Sequence, residues 1–469
     1  MRLLGAAWLV LAGAGFAGPP PEPPPNFVFV LADDLGYGDL GCYGQKMIRT
    51  PNLDRMAAEG LRFTQAYAGN AVCAPSRCVL LTGLHAGHAL IRDNREVKPE
   101  GQHPLAEGTV TLARLLKAKG YATAVIGKWG LGPPGSEGDP LRQGFDHFFG
   151  YNCQRHAHNH YPSYLWRNER KVDLEGNDGK SPVGKQYAHD LFEAEALDFI
   201  RSRRGGPFFL YLAFTIPHVA LQVPEDSLSE HRDRWEDPPY TGGRGYLPHP
   251  APRAAYAAMV GRMDRSVGRL LALLKELGLE EKTLVLFSSD NGPAPQGVGG
   301  SDSAFFRSAG PLRGLKGSLY EGGIRVPFLA RWPGRVPAGA VSDLPVAFYD
   351  VLPTLCEAAG AEPPGETDGI SFLPELLGKG GTKRHEFLYW EFPGYGGQQA
   401  VRLGDWKGIR RDLNKGRTEI ELYNLAEDAG ETADAASRNP ETVRRIERIM
   451  TENHRPSPAF PLRGVDAPR

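Results

Sequence analysis

The sequence predicts an α/β protein. It has a large, mixed but mostly parallel sheet sandwiched by helices, and a smaller C-terminal subdomain of antiparallel sheet plus helix. Three observations carry this. Short, almost wholly apolar runs at 26–32, 121–126, 208–214 and 283–289 read as strands buried on both faces, the mark of a parallel sheet covered by helices. Segments of helical texture at 52–58, 111–119, 187–203, 254–277 and 348–359 alternate with them, as βαβ units require. From about Thr382 the pattern becomes short alternating runs near 387–390, 399–403, 406–409 and 419–422, then a helix near 440–450. A length of 469 residues suits one large and one smaller domain, with boundaries predicted at 26–380 and 381–469.

Composition narrows the partners. Lys and Arg number 54 against 55 Asp and Glu, a formal net charge of −1. That gives no reason to invoke nucleic acid or an anionic membrane surface. Residues 1–17 read as a secretory signal: Arg2 is the charged end, an apolar run follows, and Gly15-Phe16-Ala17 is a small-x-small cleavage site. The run is too short to span a bilayer. A Pro-rich spacer covers 18–25, and no Asn-x-Ser/Thr site occurs. The expectation is an exported protein, periplasmic or extracellular and bacterial. The five cysteines, Cys42, Cys73, Cys78, Cys153 and Cys356, do not have zinc-site spacing.

Taken in order, the first strand ends on Asp33-Asp34. Ligands of open α/β sheets gather at strand carboxyl ends, so two adjacent carboxylates there suggest a hard cation; a solvated turn is the other reading. Gly36-Tyr-Gly38-Asp-Leu-Gly41 fits G-x-G-x-x-G, but aspartates stand where a pyrophosphate would sit, so no dinucleotide site is expected. Cys73-Ala-Pro75-Ser-Arg77 opens an apolar helical run closed by Gly83. Proline favours a helix start, where free N–H groups favour an anion, and Arg77 adds a planar charged fork one turn on. Lys128 follows the next strand, and His218 lies just past the 208–214 strand. The stretches 151–186, with His156, His158 and His160, and 222–252 are irregular and polar-aromatic. They read as pocket-lining loops. The 283–289 strand ends on Asp290-Asn291, and Lys316 follows a Gly- and Ser-rich loop. Ser289-Asp290-Asn291 matches the S-D-N element of β-lactamases, but no S-x-x-K or K-T-G accompanies it.

Cys73-x-Pro-Ser-Arg followed by Leu81-Thr82-Gly83 resembles the signature of the type I sulfatases, of the alkaline-phosphatase-like fold. The resemblance covers nearly all of the chain after residue 25. It implies that Cys73 is oxidised by a formylglycine-generating maturation enzyme to formylglycine (3-oxoalanine), whose hydrate attacks sulfur. It implies one Ca²⁺ held by Asp33, Asp34, Asp290 and Asn291 with the modified Cys73. It implies Arg77, Lys128, His218 and Lys316 as catalytic contacts, His218 being the acid for the leaving alcohol. If Cys73 is consumed in this way, the other four cysteines are left to pair in an oxidising compartment. The family usually reads Gly-Lys-Trp-His-Leu-Gly where this chain has Gly130; either a histidine of the 156–160 loop serves instead, which is the expectation, or water or Asp290 does, or activity is impaired. The expected function is hydrolysis of sulfate esters, with sulfated carbohydrate as the substrate class and aryl sulfates as surrogates. The alternatives are a formylglycine-dependent phosphodiesterase or phosphonate hydrolase, or a non-catalytic sulfated-glycan-binding protein.

Overall fold

The structure, a computed structural model, describes residues 23–466. The expected signal segment 1–17 and most of the spacer lie outside the described residues. The large sheet contains β1 (Asn26–Ala32), β2 (Leu61–Tyr67), β3 (Ala122–Lys128), β4 (His147–Tyr151), β5 (Tyr164–Arg167), β6 (Arg170–Asp173), β7 (Phe208–Ala213), β8 (Thr283–Ser289), β9 (Arg325–Arg331), β10 (Ala340–Ser342) and β11 (Val346–Ala347). Their order is β10-β2-β9-β8-β1-β7-β3-β4-β5-β6, with β11 also on β2. The central strands β8, β1, β7, β3 and β4 run parallel, whereas β9 is antiparallel to both β2 and β8.

The apolar runs explain the layering. Side chains alternate across a strand, so Phe27, Phe29 and Leu31 enter one core cluster and Val28, Val30 and Ala32 the other. The Cys73–Thr82, Leu112–Ala118 and Val351–Ala358 helices pack on the first side. The Pro51–Ala58, Ala188–Arg203 and Pro252–Glu276 helices pack on the second. Both faces of the sheet are therefore dry, which is why its strands needed no polar alternation.

A second sheet, β12 (Leu388–Phe392), β13 (Gln398–Leu403), β14 (Trp406–Arg411) and β15 (Glu421–Asn424), is antiparallel in sequential order. One face takes Ile446, Ile449 and Met450 of the Pro440–Glu452 helix against Tyr389, Val401 and Leu422. The other sends Trp390, Ala400, Ile409 and Tyr423 into the main core.

Several local expectations change. The stretch expected to be irregular at 151–186 contains the β5–β6 hairpin, whose turn uses Asn168 at φ +51°. The strands β2, β4, β10 and β11 were not expected at all. The Cys73 helix starts two residues before Pro75; a proline is tolerated anywhere in a first turn whose N–H groups lack helical partners. All five cysteines are free thiols, so the pairing left open for four of them is not made. Among the described residues no helix is long and apolar enough to cross a membrane.

Candidate active site

Register builds the site. In the β1–β8 pair, Ala32 faces Ser289, so the next residues, Asp33 and Asp290, emerge side by side, and the Asp290 N–H donates to the Ala32 carbonyl at 3.1 Å. In the β3–β7 pair, Gly127 faces Ala213. Lys128 therefore ends its strand at the same rim, and His218 follows β7 by one loop.

The Cys73–Thr82 helix points its start at that rim. One of its free amides, that of Ala74, donates to Asn94 Oδ1 at 3.0 Å. Its C-terminal end is closed by Gly83 at φ +70°, a conformation that favours glycine. Cys73 and Arg77, four residues apart, share one face. Cys73 Sγ donates to Asp33 Oδ1 at 3.5 Å and accepts from Lys316 Nζ at 3.3 Å. Lys128 Nζ lies 2.6 Å from Asp33 Oδ2, and Lys316 Nζ lies 2.7 Å from Asp34 Oδ1. His218 Nε2 is 3.6 Å from Asp34 Oδ2, with Nδ1 bonded to the Val219 carbonyl. Asn291 Nδ2 donates to Asp34 Oδ1 at 2.7 Å.

Each sequence-predicted site residue is thus in one cluster, and all of them except Lys316 are fully buried. Arg77 differs in detail from the expectation of a free fork. Its Nε and Nη2 close on Asp290 Oδ2 at 3.1 and 2.8 Å, and its Nη1 donates to the Lys128 carbonyl at 2.7 Å. It organises the cluster from below.

The electrostatics follow from burial of charges in pairs. Burial alone would raise Asp33, but Lys128, His218, Arg77 and Lys316 outweigh it and hold the carboxyl well below its usual range. Burial pushes Asp34 up, against the pull of Lys316. Burial and the charge of Asp33 push Asp290 up to about 6. Burial and Asp33 likewise push the Cys73 thiol up to about 12. Burial and the positive charge of Lys316 hold His218 well below the ordinary histidine range.

A divalent cation fits this donor set. Asp33, Asp34, Cys73 and His218 present ligand atoms within 4.8 Å of one another. Asn291 Oδ1 is buried and accepts no hydrogen bond among the described residues. A cluster rich in carboxylates and an amide oxygen suits a hard ion.

The 156–160 histidines divide. His158 stacks on His218 at 5.1 Å, whereas His160 Nε2 bonds the His218 carbonyl at 2.9 Å and His156 leans on Tyr164 at 4.4 Å. Sequence reasoning missed Gln154: a Cβ at Gly130 would meet its Nε2 at 2.1 Å, so this amide occupies the space over Gly130. Nothing in the local pattern announces that packing.

A parallel-sheet rim that gathers carboxylates and fixed cations around one residue at a helix start defines a class, the enzymes acting on anionic esters. Comparison with known proteins narrows it. The Sulfatase family model matches residues 25–361, and that of the N-sulphoglucosamine sulphohydrolase C-terminal region matches 315–454. Steryl-sulfatase of Mus musculus is 36% identical, covering 82% of this chain and 70% of that protein. N-acetylgalactosamine-6-sulfatase of Canis lupus familiaris is 35% identical, covering 85% of this chain and 74% of that one. Among solved structures, Ps i-CgsB has a TM-score of 0.79 at 28% identity over 94% of this chain and 95% of that one. It has also been solved in complex with k-i-k-neocarrahexaose. A phosphonate monoester hydrolase of Agrobacterium radiobacter shares the fold, with a TM-score of 0.64 at 21% identity over 91% and 94% of the two chains. The chain belongs to the sulfatase family and is a sulfuric ester hydrolase.

Proposed function

We propose that this protein is an exported, Ca²⁺-dependent sulfatase that removes sulfate from sulfated carbohydrates through a formylglycine made from Cys73. The observation that carries it is the convergence of Asp33, Asp34, Asp290 and Asn291 with Cys73, Arg77, Lys128 and Lys316 at one strand rim. Asp33, Asp34, Asp290 and Asn291 would hold Ca²⁺ with residue 73, and the bound ion would offset charge gathering on sulfate oxygens and favour ionisation of the nucleophile. The oxidised residue 73 supplies that nucleophile as a hydrated aldehyde.

The remaining work falls to ordinary side chains. Lys128 and Lys316 flank residue 73 as preorganised cations for sulfate oxygens, which costs no reorganisation during reaction. Arg77 fixes Asp290 and the Lys128 backbone, and so sets the distance between the carboxylates and those cations. The Nδ1 of His218 is held by a backbone carbonyl, so its Nε2 is the atom that meets the leaving oxygen and moves its proton.

Carbohydrate is favoured by the surroundings of the rim. The two polar-aromatic insertions line a cavity of about 290 Å³ with His156, His158, Tyr164, Gly245 and Leu247, and His158 also stacks on His218. Tyr246 packs on His158 at 4.9 Å, and the Tyr395 ring, 71% exposed, lies over Gly317 beside Lys316. Aromatic faces beside hydrogen-bonding groups suit polar rings. Two of the names found agree, N-acetylgalactosamine-6-sulfatase and the Ps i-CgsB complex with a neocarrahexaose, whereas steryl-sulfatase names a sterol ester.

The test uses protein whose Cys73 peptide shows conversion to formylglycine by mass, with Ca²⁺ present. Sulfate release is measured from carrageenan oligosaccharides, N-acetylgalactosamine 6-sulfate and 4-nitrophenyl sulfate. Release from a sugar supports the proposal. Release from the aryl ester alone overturns the carbohydrate reading, and silence on all three overturns the catalytic one.

A further inference from the structure

We infer that the Gln154 carboxamide reads a hydroxyl on the sugar that carries the scissile sulfate, and that Gly130 is glycine to let it do so. This rests on the sulfated-carbohydrate reading above.

Place comes first. Gly130 is two residues past Lys128, whose Nζ sits on Asp33. Gln154 is three residues past Tyr151, which pairs with Lys128 and whose carbonyl accepts from the Trp129 N–H at 2.9 Å. Both residues therefore lie just past paired strands, β3 and β4, of which β3 ends at the reacting rim on Lys128. Gly130 has φ +77°, and any Cβ there would lie 2.1 Å from Gln154 Nε2. Residue 130 has to be small for the amide to stay where it is.

Unsatisfied bonding comes second. Gln154 is 6% exposed, yet neither its Nε2 nor its Oε1 has a hydrogen-bond partner among the described residues. Buried polar groups are nearly always paired, so this amide takes its partners from outside the protein. The backbone that carries it is held: the main-chain N–H of Gln154 donates to Gln102 Oε1 at 3.0 Å, and the Cys153 beside it is buried. Asn152, 1% exposed in the same loop, also keeps both amide atoms unpartnered.

Chemistry comes third. In the proposed reading sulfate is met by Lys128, Lys316 and the cation that the carboxylates would hold. A neutral carboxamide adds no charge there, but it donates and accepts at once, as a sugar hydroxyl does. A site built to hydrogen-bond a hydroxyl discriminates strongly against an analogue without one. An aryl sulfate with no neighbouring hydroxyl is such an analogue.

The experiment compares wild type, Gln154→Ala and Gly130→Ala, each converted at Cys73 and supplied with Ca²⁺. The substrates are 4-nitrophenyl sulfate and the best-cleaved sugar sulfate of the panel. Gln154→Ala should lower kcat/KM for the sugar about 30-fold and change the aryl ester less than about threefold. Gly130→Ala, which displaces the amide, should reproduce that split. In a Cys73→Ser background, calorimetry with the same sugar should show Gln154→Ala weakening binding, a readout independent of turnover. Equal losses on both substrates would assign Gln154 a structural role and overturn the inference, as would no loss on either. Wild type that cleaves the aryl ester and no sugar overturns the carbohydrate reading together with this inference. Wild type that cleaves both, with an unchanged ratio in Gln154→Ala, overturns this inference alone.

Discussion

Two clusters of buried charge can be set side by side. At the junction of the two sheets, Lys407 Nζ lies 2.9 Å from Glu321 Oε1 and 3.0 Å from Glu431 Oε1. The other Glu321 oxygen accepts from the Tyr67 hydroxyl at 2.8 Å, and Arg402 donates to that hydroxyl at 2.6 Å. The Glu321 N–H closes the ring on Glu431 Oε2 at 2.6 Å. At the strand rim the ingredients are the same, carboxylates against lysines and an arginine. There, however, Asn291 Oδ1 is left without a partner, and the Lys316 side chain keeps 12% of its exposure while that of Lys407 keeps none. The junction answers its charges from within the chain, although Glu431 Oε1 meets Lys407 as an ion pair without a formed hydrogen bond. The rim is arranged to be completed by something else. Burial and ion pairing alone do not separate a structural cluster from a functional one; here the difference is a neutral amide oxygen that no cation among the described residues meets and a lysine that keeps contact with solvent.

The sharpest break in that comparison is chemical. Cys73→Ala should lower sulfate release by more than about 10³-fold, because it removes the nucleophile itself, while thermal unfolding moves little. A variant retaining turnover would place the chemistry elsewhere.

Lys407→Met should do the reverse. Two buried carboxylates lose their shared cation, and breaking a buried pair costs about 3–5 kcal/mol. Denaturant titration should show that loss, while kcat/KM of the folded fraction stays within about threefold of wild type. A Lys407→Met protein of full stability would mean that the junction is not closed by that lysine.

Completion by a cation can be read as stability. Ca²⁺ added to chelator-treated protein should stabilise it by about 2.7 kcal/mol at 100 times its dissociation constant. Asn291→Ala should lose that increment in a thermal melt. Lys407→Met, less stable throughout, should keep it. An increment that survives Asn291→Ala would remove the amide oxygen from the ligand set.

How legible all this was depends on range. β1 and β8 were readable to the residue because strands buried on both faces are continuous apolar runs. Their carboxyl ends then placed Asp33, Asp34, Asp290 and Asn291 on one rim without coordinates. β2 was missed although Leu61, Phe63 and Ala66 point inward, since its partners β9 and β10 lie far along the chain and its apolar alternation breaks at Gln65. The β5–β6 hairpin was missed because Asn168-Glu169 is not a two-residue turn signal of the Asn-Gly kind. The free state of Cys78 and Cys356 depends on where each thiol sits in the packed core. Gln154 was invisible for the same reason: its meaning lies in a contact with Gly130 that no spacing encodes.

The smallest expected effect tests whether a closed polar cluster can be recognised by its pH signature. His454 joins Glu391 Oε2 at 2.8 Å through Nδ1 and Asp466 Oδ1 at 2.9 Å through Nε2. Burial would lower its pKa, but the two carboxylates outweigh burial and raise it above the ordinary 6.5. A folded state that holds the proton more tightly than the unfolded chain gains stability that is complete below 6.5 and is lost as pH rises through the folded value. Wild type should therefore lose more stability between about pH 6 and about pH 8.5 than His454→Gln does, by less than the Lys407→Met loss. The variant pair is the control, because every other titrating group is common to both. If the two proteins lose stability in parallel, His454 gains no proton affinity on folding. The link between Glu391, which also pairs with Arg92, and Asp466 would then be a hydrogen bond to a neutral ring rather than a closed ion pair.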